Sequence, residues 1–308
     1  MKGRTWTSAP RLSPRVARAS GLLLSVLSCA FLAGAVTADT KLASTPQTEE
    51  FPIIDAHIHT HFSGKPERTS GIPDSREQLL KEMKANRVVG AIAHLDSTAE
   101  NFDPKLLDQG VTFCLGLPAN PDLKFVEAFL KSKKGRCLKV YLGYVHQFAN
   151  HPNYRKAYQL AQKYHVPVVF HTGDTYSKDG KLKYADPLTI DEVAVDFRKV
   201  NFVIAHVGNP WIQSAAEVAY KNPNVYIDGS ALLIGDLSKT PEPKVDELLI
   251  KPISWTFTYL EDPSKLMYGT DWPLTDMASY LAAFKRAIPK EHWRAVFHDN
   301  AARVFQLK

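Results

Sequence analysis

Eight short apolar runs, each followed by Gly, Asp, Asn or Ser and separated by stretches of helical periodicity, constrain this chain more than any other feature. The runs are Ile53–Ile58, Val88–Leu95, Val111–Leu117, Cys137–Leu142, Val166–His171, Phe202–Val207, Asn224–Asp228 and Leu266–Thr270. They are short and rich in β-branched and aromatic residues, as buried strands are. Helical patterns fall between them, over 75–86, 122–133, 153–165, 189–199, 212–221 and 276–287. Ser75 stands where the first of these helices needs a cap. Residues 231–254 read as a long loop and a helix between the last two strands. Eightfold strand–helix alternation predicts an α/β fold, a single-domain (β/α)8 TIM barrel over residues 51–308.

Ahead of the barrel lies a different kind of sequence. Residues 1–38 carry Lys2, Arg4, Arg11, Arg15 and Arg18 and no acid, followed by the apolar run Gly21 to Val36. Basic start, apolar run and the small residues before Asp39 predict a signal peptide over 1–38 and export to the periplasm or exterior. Residues 39–50 read as a linker. An uncleaved membrane anchor, a lipid-modified Cys29 or an organelle transit peptide are the alternatives, and membrane contact is expected only through this segment. The leader also explains the net charge of +6: five of the 38 basic residues lie within it, and the remainder is near neutral. With no basic stripe carrying interleaved aromatics, nucleic acid is not an expected partner. A small-molecule substrate is, and nothing here sets the oligomeric state. Cys114 and Cys137, the two cysteines after the leader, sit in apolar runs and read as buried small hydrophobes. Their number excludes a disulfide framework, and no CxxC pair offers thiolate zinc ligands.

In a barrel, reactive side chains project from the C-terminal ends of the strands. Here those ends carry His57 and His59 (strand one), His171 (strand five), His206 (strand six) and Asp271 (strand eight). His57 and His59 are two apart, so they share a face. A single histidine at a strand end is ordinary. Four with a carboxylate, converging from different strands, form what a divalent ion needs; zinc is the expected ion, with iron, manganese or nickel also compatible. Lys139 lies on strand four, and as a plain cation it can hold a substrate carboxylate or serve a structural contact. Asp55 shares the parity of the histidines and either fixes a ligand tautomer or stabilises a turn. In the long loop after strand five, Asp174 and Tyr176 are candidate substrate contacts. Trp272 is a further candidate, and Asn209, Trp211 and Asp228 also follow strand ends. His61 is expected to be solvent-exposed on the first loop, and His94 has no assigned part.

The motifs Asp55-x-His57-x-His59, His171-Thr-Gly, His206-x-Gly, Gly-Thr-Asp271-x-Pro and Asn300-Ala-Ala-Arg-Val-Phe resemble the amidohydrolase superfamily, in its amidohydrolase-related branch, over about residues 51–307. The resemblance implies His57, His59, His171 and Asp271 as metal ligands, with His206 a ligand or a catalytic residue beside the ion. It also implies one ion or two, because two-metal members use a carbamylated strand-four lysine as a bridge, the position of Lys139. The implied reaction is hydrolysis of an amide, lactone or ester by activated water, with Asp271 as proton acceptor and His206 as stabiliser of the oxyanion. That branch also contains decarboxylases, so a carboxy-lyase is the alternative; a non-catalytic metal-binding barrel is a third. Asn300 reads as the N-cap of the last helix.

Overall fold

The computed structural model describes residues 51–307. The expected signal segment 1–38 and linker 39–50 lie outside the described residues. No helix among the described residues is long and apolar enough to cross a membrane.

Eight parallel strands follow one another in sequence order: β1 Ile53–Ile58, β2 Val88–His94, β3 Val111–Leu117, β4 Gly135–Tyr141, β5 Val168–His171, β6 Phe202–Ile204, β7 Val225–Asp228 and β8 Leu266–Met267. The ring closes where the last strand meets the first. Ala56 N donates to Tyr268 O (2.9 Å), Asp271 N to His57 O (2.7 Å) and His59 N to Trp272 O (2.7 Å). Asp55 reinforces this seam. Its carboxylate accepts from Thr270 N (2.9 Å), Thr270 Oγ1 (2.6 Å) and His57 N (3.1 Å). It is thus a backbone tie between β1 and β8, and it does not touch a ligand imidazole.

Strands covered on both faces are mostly apolar, and β1 is buried at all six positions, Asp55 and His57 included. Inward residues such as Ile54, Ile92, Val169, Val203 and Met267 pack together inside the ring. Ala301, Val304 and Phe305 close its lower end. Outward residues form a larger core with the surrounding helices. Side-chain caps start these helices where predicted: Ser75 Oγ accepts from Gln78 N, Asp122 from Lys124 N and Phe125 N, and Asp276 from Ser279 N.

Four local readings need correction. Cys114 and Cys137 are joined in a disulfide. The paired register of β3 and β4 sets them opposite each other, with Cα atoms 4.3 Å apart. A count of two excludes a framework of bridges but not one bridge, which depends on register. Second, β6 stops at Ile204, and the chain turns through His206 (φ 61°) and Val207 (φ 53°), left-handed backbone for which no strand pattern codes. Third, the loop and helix expected between β7 and β8 are present, but the helix runs past residue 254, from Glu242 to Leu260 through a wider π turn at Asp246–Ile250. The π turn precedes Pro252, whose missing N–H an unbroken α-helix would leave as a gap. Fourth, Asn300 lies within the terminal helical segment and is not its cap. Its amide donates to Pro263 O and Leu266 O, both at 2.7 Å, anchoring the entry to β8.

Candidate metal centre

At the C-terminal end of the barrel, β1 places His57 and His59 with ring centroids 5.6 Å apart. His57 is almost fully buried; His59 is partly exposed. The Nδ1 of His57 lies 3.0 Å from Oδ2 of Asp228, at the end of β7. A carboxylate only accepts, so Nδ1 carries the proton and Nε2 keeps its lone pair. That Nε2 faces Asp271 Oδ1 at 3.5 Å and Lys139 Nζ at 3.3 Å. His59 Nε2 lies 3.1 Å from the same Asp271 oxygen. Yet Asp271 Oδ1 is buried and accepts no aligned hydrogen bond. Asp271 also sits at φ 67°, left-handed backbone that costs a non-glycine residue on the order of 1–3 kcal/mol and is typical of sites under functional constraint.

A second facing pair lies beside the first. His206 Nε2 is 3.1 Å from His171 Nδ1. Their other nitrogens fix the tautomers. His171 Nε2 meets the carbonyl of Asp174 at 2.8 Å and must donate to it, leaving Nδ1 unprotonated. Ser230 Oγ donates to Asp228 Oδ1, so His206 Nδ1, which lies 3.0 Å from Oγ and 3.3 Å from Ser230 O, must itself be the donor. His206 Nε2 is then unprotonated as well. Two lone pairs confront each other at hydrogen-bond distance with no proton between them.

Burial pushes the imidazoles of His57 and His171 well below their ordinary range, and that of His206 down as well, which keeps them in the neutral, ligating form. Burial acts on Asp271 in the opposite sense, but the surrounding histidines outweigh it and hold the carboxyl well below the usual carboxylate range. The residues therefore fit a divalent cation: the unprotonated nitrogens of His57, His171 and His206, the His59 ring and one orphaned carboxylate oxygen lie together in a buried pit. Asp228 also lies within 4.8 Å of His57 and His206. Its oxygens are already taken by His57 Nδ1, Ser230 and His206 N, which makes it the orienting partner of a ligand. Sequence reasoning set Asp228 among weak pocket candidates and left His94 unassigned. His94 is fully buried with its ring 4.0 Å from that of His57, and neither ring nitrogen has a partner. It ends β2, so the strand-end argument applied to it equally.

Above the pit opens a cavity of about 840 Å³. His59, His171, His206 and Asp271 form part of its wall, as do Asp174 and Tyr176 from the predicted loop. Gly173 (φ 82°) allows that loop to leave β5 tightly; a Cβ there would meet Asn209 O at 2.1 Å. Tyr176 N donates to Tyr144 OH (2.7 Å), and its hydroxyl lies 3.3 Å from Thr69 Oγ1, linking the first loop to the fifth across the mouth. His61 is exposed at this mouth and lines it. Trp272, a candidate substrate contact from sequence, is fully buried and does not line the cavity. Its ring packs against Phe62, because the turn after β8 directs it away from the pit. Lys139 is also fully buried and does not line the cavity; burial brings its ammonium down to about 8.

Residues 73–307 match the sequence family described as amidohydrolase. The chain belongs to that family. The match begins downstream of His57 and His59, and it is the tertiary structure that brings them to the other strand ends. The chain matches no curated protein in sequence. Its fold is shared with an amidohydrolase of Burkholderia multivorans solved with bound zinc: TM-score 0.64, 15% identity, 84% of this chain and 100% of that one. It is also similar to 5-carboxyvanillate decarboxylase of Sphingomonas paucimobilis, with TM-score 0.63, 12% identity and coverage of 84% and 100%. A third similar structure is a probable 2-pyrone-4,6-dicarboxylic acid hydrolase of Acinetobacter baumannii, with TM-score 0.60, 15% identity and coverage of 83% and 100%. The amidohydrolase fold therefore carries both hydrolytic and decarboxylating relatives.

Proposed function

We propose that this amidohydrolase is a metal-dependent hydrolase of a small-molecule ester, lactone or amide. The observation that carries the reading is the set of unprotonated ring nitrogens, His57 Nε2, His171 Nδ1 and His206 Nε2, gathered with the His59 ring and the orphaned Asp271 Oδ1. These residues would hold the ion, and zinc suits imidazole with carboxylate. When bound, such an ion acidifies water and polarises a carbonyl. Asp271 then takes the proton of the attacking water and returns it to the leaving group, a role open to a carboxylate at the edge of the pit. His206, with Nδ1 committed to Ser230, offers the pit a lone pair. That tautomer suits a ligand; stabilising an oxyanion would need a proton on Nε2.

Lys139 is open to the bridging role. Its Nζ faces His57 Nε2, and a pKa near 8 supplies the free amine that carbamylation requires. A second ion would follow from that modification.

The decarboxylating alternative calls for a cation that anchors the substrate carboxylate. Among the described residues no Lys or Arg lines the cavity, and the Nζ of Lys139, the sequence candidate for that part, faces His57 Nε2 at 3.3 Å rather than the open space. This favours hydrolysis. The test is turnover of lactone, ester and amide panels by the zinc-loaded protein, with carbon dioxide release followed in parallel on aromatic acids. Metal-dependent hydrolysis that falls at least ~10³-fold in Asp271→Asn, with the fold intact, supports the reading. Carbon dioxide release without hydrolysis replaces it with the lyase. No metal-dependent turnover on either panel leaves the non-catalytic barrel.

Export remains the proposed location. A buried disulfide between β3 and β4 suits a chain that matures in an oxidising compartment, in keeping with the leader-like start of the sequence.

A further inference from the structure

We infer that the cavity selects substrates bearing a positively charged or hydrogen-donating group on an apolar, aromatic-sized body, and rejects carboxylated ones. The inference rests on the cavity being the substrate site of the proposed hydrolase, and it adds the charge of what enters.

Glu67 and Asp74 reach the cavity wall from the loop after β1, Asp96 from the end of β2 and Asp174 from the loop after β5. No Lys or Arg lines that wall among the described residues. A divalent ion seated against Asp271 leaves the space net negative. In a cleft with low-dielectric walls such a charge is felt across the whole volume.

Asp74 shows that this charge is built in rather than a solvated rim. It is only 7% exposed. One of its oxygens accepts from Ser63 N (2.9 Å), and the other, Oδ1, is buried without a partner. That oxygen has no donor to offset its charge, which therefore acts on whatever enters the cavity. The remaining acids are held in place by local backbone: Glu67 Oε2 by Thr69 N (2.6 Å) and Ser70 N (2.7 Å), Asp96 Oδ1 by Thr98 N (3.0 Å), Asp174 Oδ1 by Thr175 N (2.9 Å). They are fixed acceptors that need little reorganisation on binding. Tyr141, Tyr144 and Tyr176 line the same space, and aromatic faces attract cations while seating an apolar body. Ile234, Leu117 and Leu274 supply the rest of an apolar wall.

The test uses the full chain in two arms. In the metal-free protein, where no ion can attract a carboxylate, binding of 3-phenylpropyltrimethylammonium, 3-phenylpropanol and 4-phenylbutanoate is measured by calorimetry. The cation is expected to bind at least tenfold tighter than the alcohol, and the carboxylate at least tenfold more weakly. The spread should narrow several-fold between 20 and 500 mM NaCl, as screening of a charged cleft requires. Asp74→Asn, whose amide keeps an oxygen for Ser63 N, should cut the cation-to-carboxylate ratio at least fivefold. Asp96→Asn serves as the second variant should the first fold poorly. In the zinc-loaded protein, hydrolysis of phenyl acetates bearing a para trimethylammonium, methyl or carboxylate group is compared after division by their hydroxide-catalysed rates; the same order is expected. A carboxylate ligand that binds as tightly as the cation, or a ratio unmoved by both variants and by salt, overturns the inference. Cation binding that depends on Asp74 without any ester hydrolysis would sink the hydrolase and leave the charge selection standing. Hydrolysis that favours the carboxylated ester would do the reverse.

Discussion

The Nδ1 of His57, on β1, lies 3.0 Å from Oδ2 of Asp228, on β7. The contact decides which nitrogen of a buried imidazole faces the pit, and both partners are removed from water. In Asp228→Asn the amide nitrogen can face Nδ1, which reverses the favoured tautomer and places a proton on Nε2. Zinc affinity should fall about 10–100-fold with the fold retained, as loss of an orienting partner typically does. A competing chelator titration reads this directly; unchanged affinity would show that Asp228 orients nothing.

His171 and His206 face each other with unprotonated nitrogens 3.1 Å apart. That arrangement is repulsive until a cation or proton enters. Adding zinc to chelator-treated protein should therefore raise Tm, and His171→Ala should abolish most of that rise while leaving the metal-free Tm near its original value. A zinc-induced rise of equal size in His171→Ala would place the ion elsewhere.

Lys139 connects burial to stability. Its ammonium stands at about 8 in the fold against an ordinary 10.5. Between those values the unfolded chain binds one more proton than the folded one, so stability of the metal-free protein rises with pH across that window. The full effect is on the order of 3 kcal/mol for a group this buried. Urea midpoints between pH 8 and 9.5 should climb in the native protein and stay flatter in Lys139→Met. Equal slopes would refute the assignment.

The bridge between Cys114 and Cys137 closes a segment of 23 residues in sequence separation. Replacing both cysteines by alanine should cost about 3 kcal/mol, from the freer unfolded chain and from lost packing in the barrel interior. Non-reducing peptide mapping should recover the two cysteines in one linked species. Recovery as two free thiols would remove the argument for an oxidising compartment.

Much of this was legible in the chain. β1 and β3 have the very limits their apolar runs announced, and His57, His59, His171, His206 and Asp271 all reach the same end of the barrel. Less legible were partners set by register and by turns. Cys114 and Cys137 meet because the β3–β4 register shifts by one residue between Phe113 and Cys114, which no local pattern announces. Trp272 follows a strand end as Asp271 does, yet the two side chains part, one into the core and one onto the cavity wall. His94 ended a strand in plain view, but a lone histidine carries no signal until its neighbours in space are known.

The sequence alone determined the strand–helix alternation and the polar residues at strand ends, because hydrophobic periodicity and residue chemistry are local properties of a chain. Tertiary structure decided the tautomers, the disulfide, the tie from Asp55 to Thr270 and the acidic wall around Asp74. Almost all of these depend on atoms tens to hundreds of residues apart in the chain. Only closure of the barrel, which buries their common surroundings, fixes the distance and the dielectric between them.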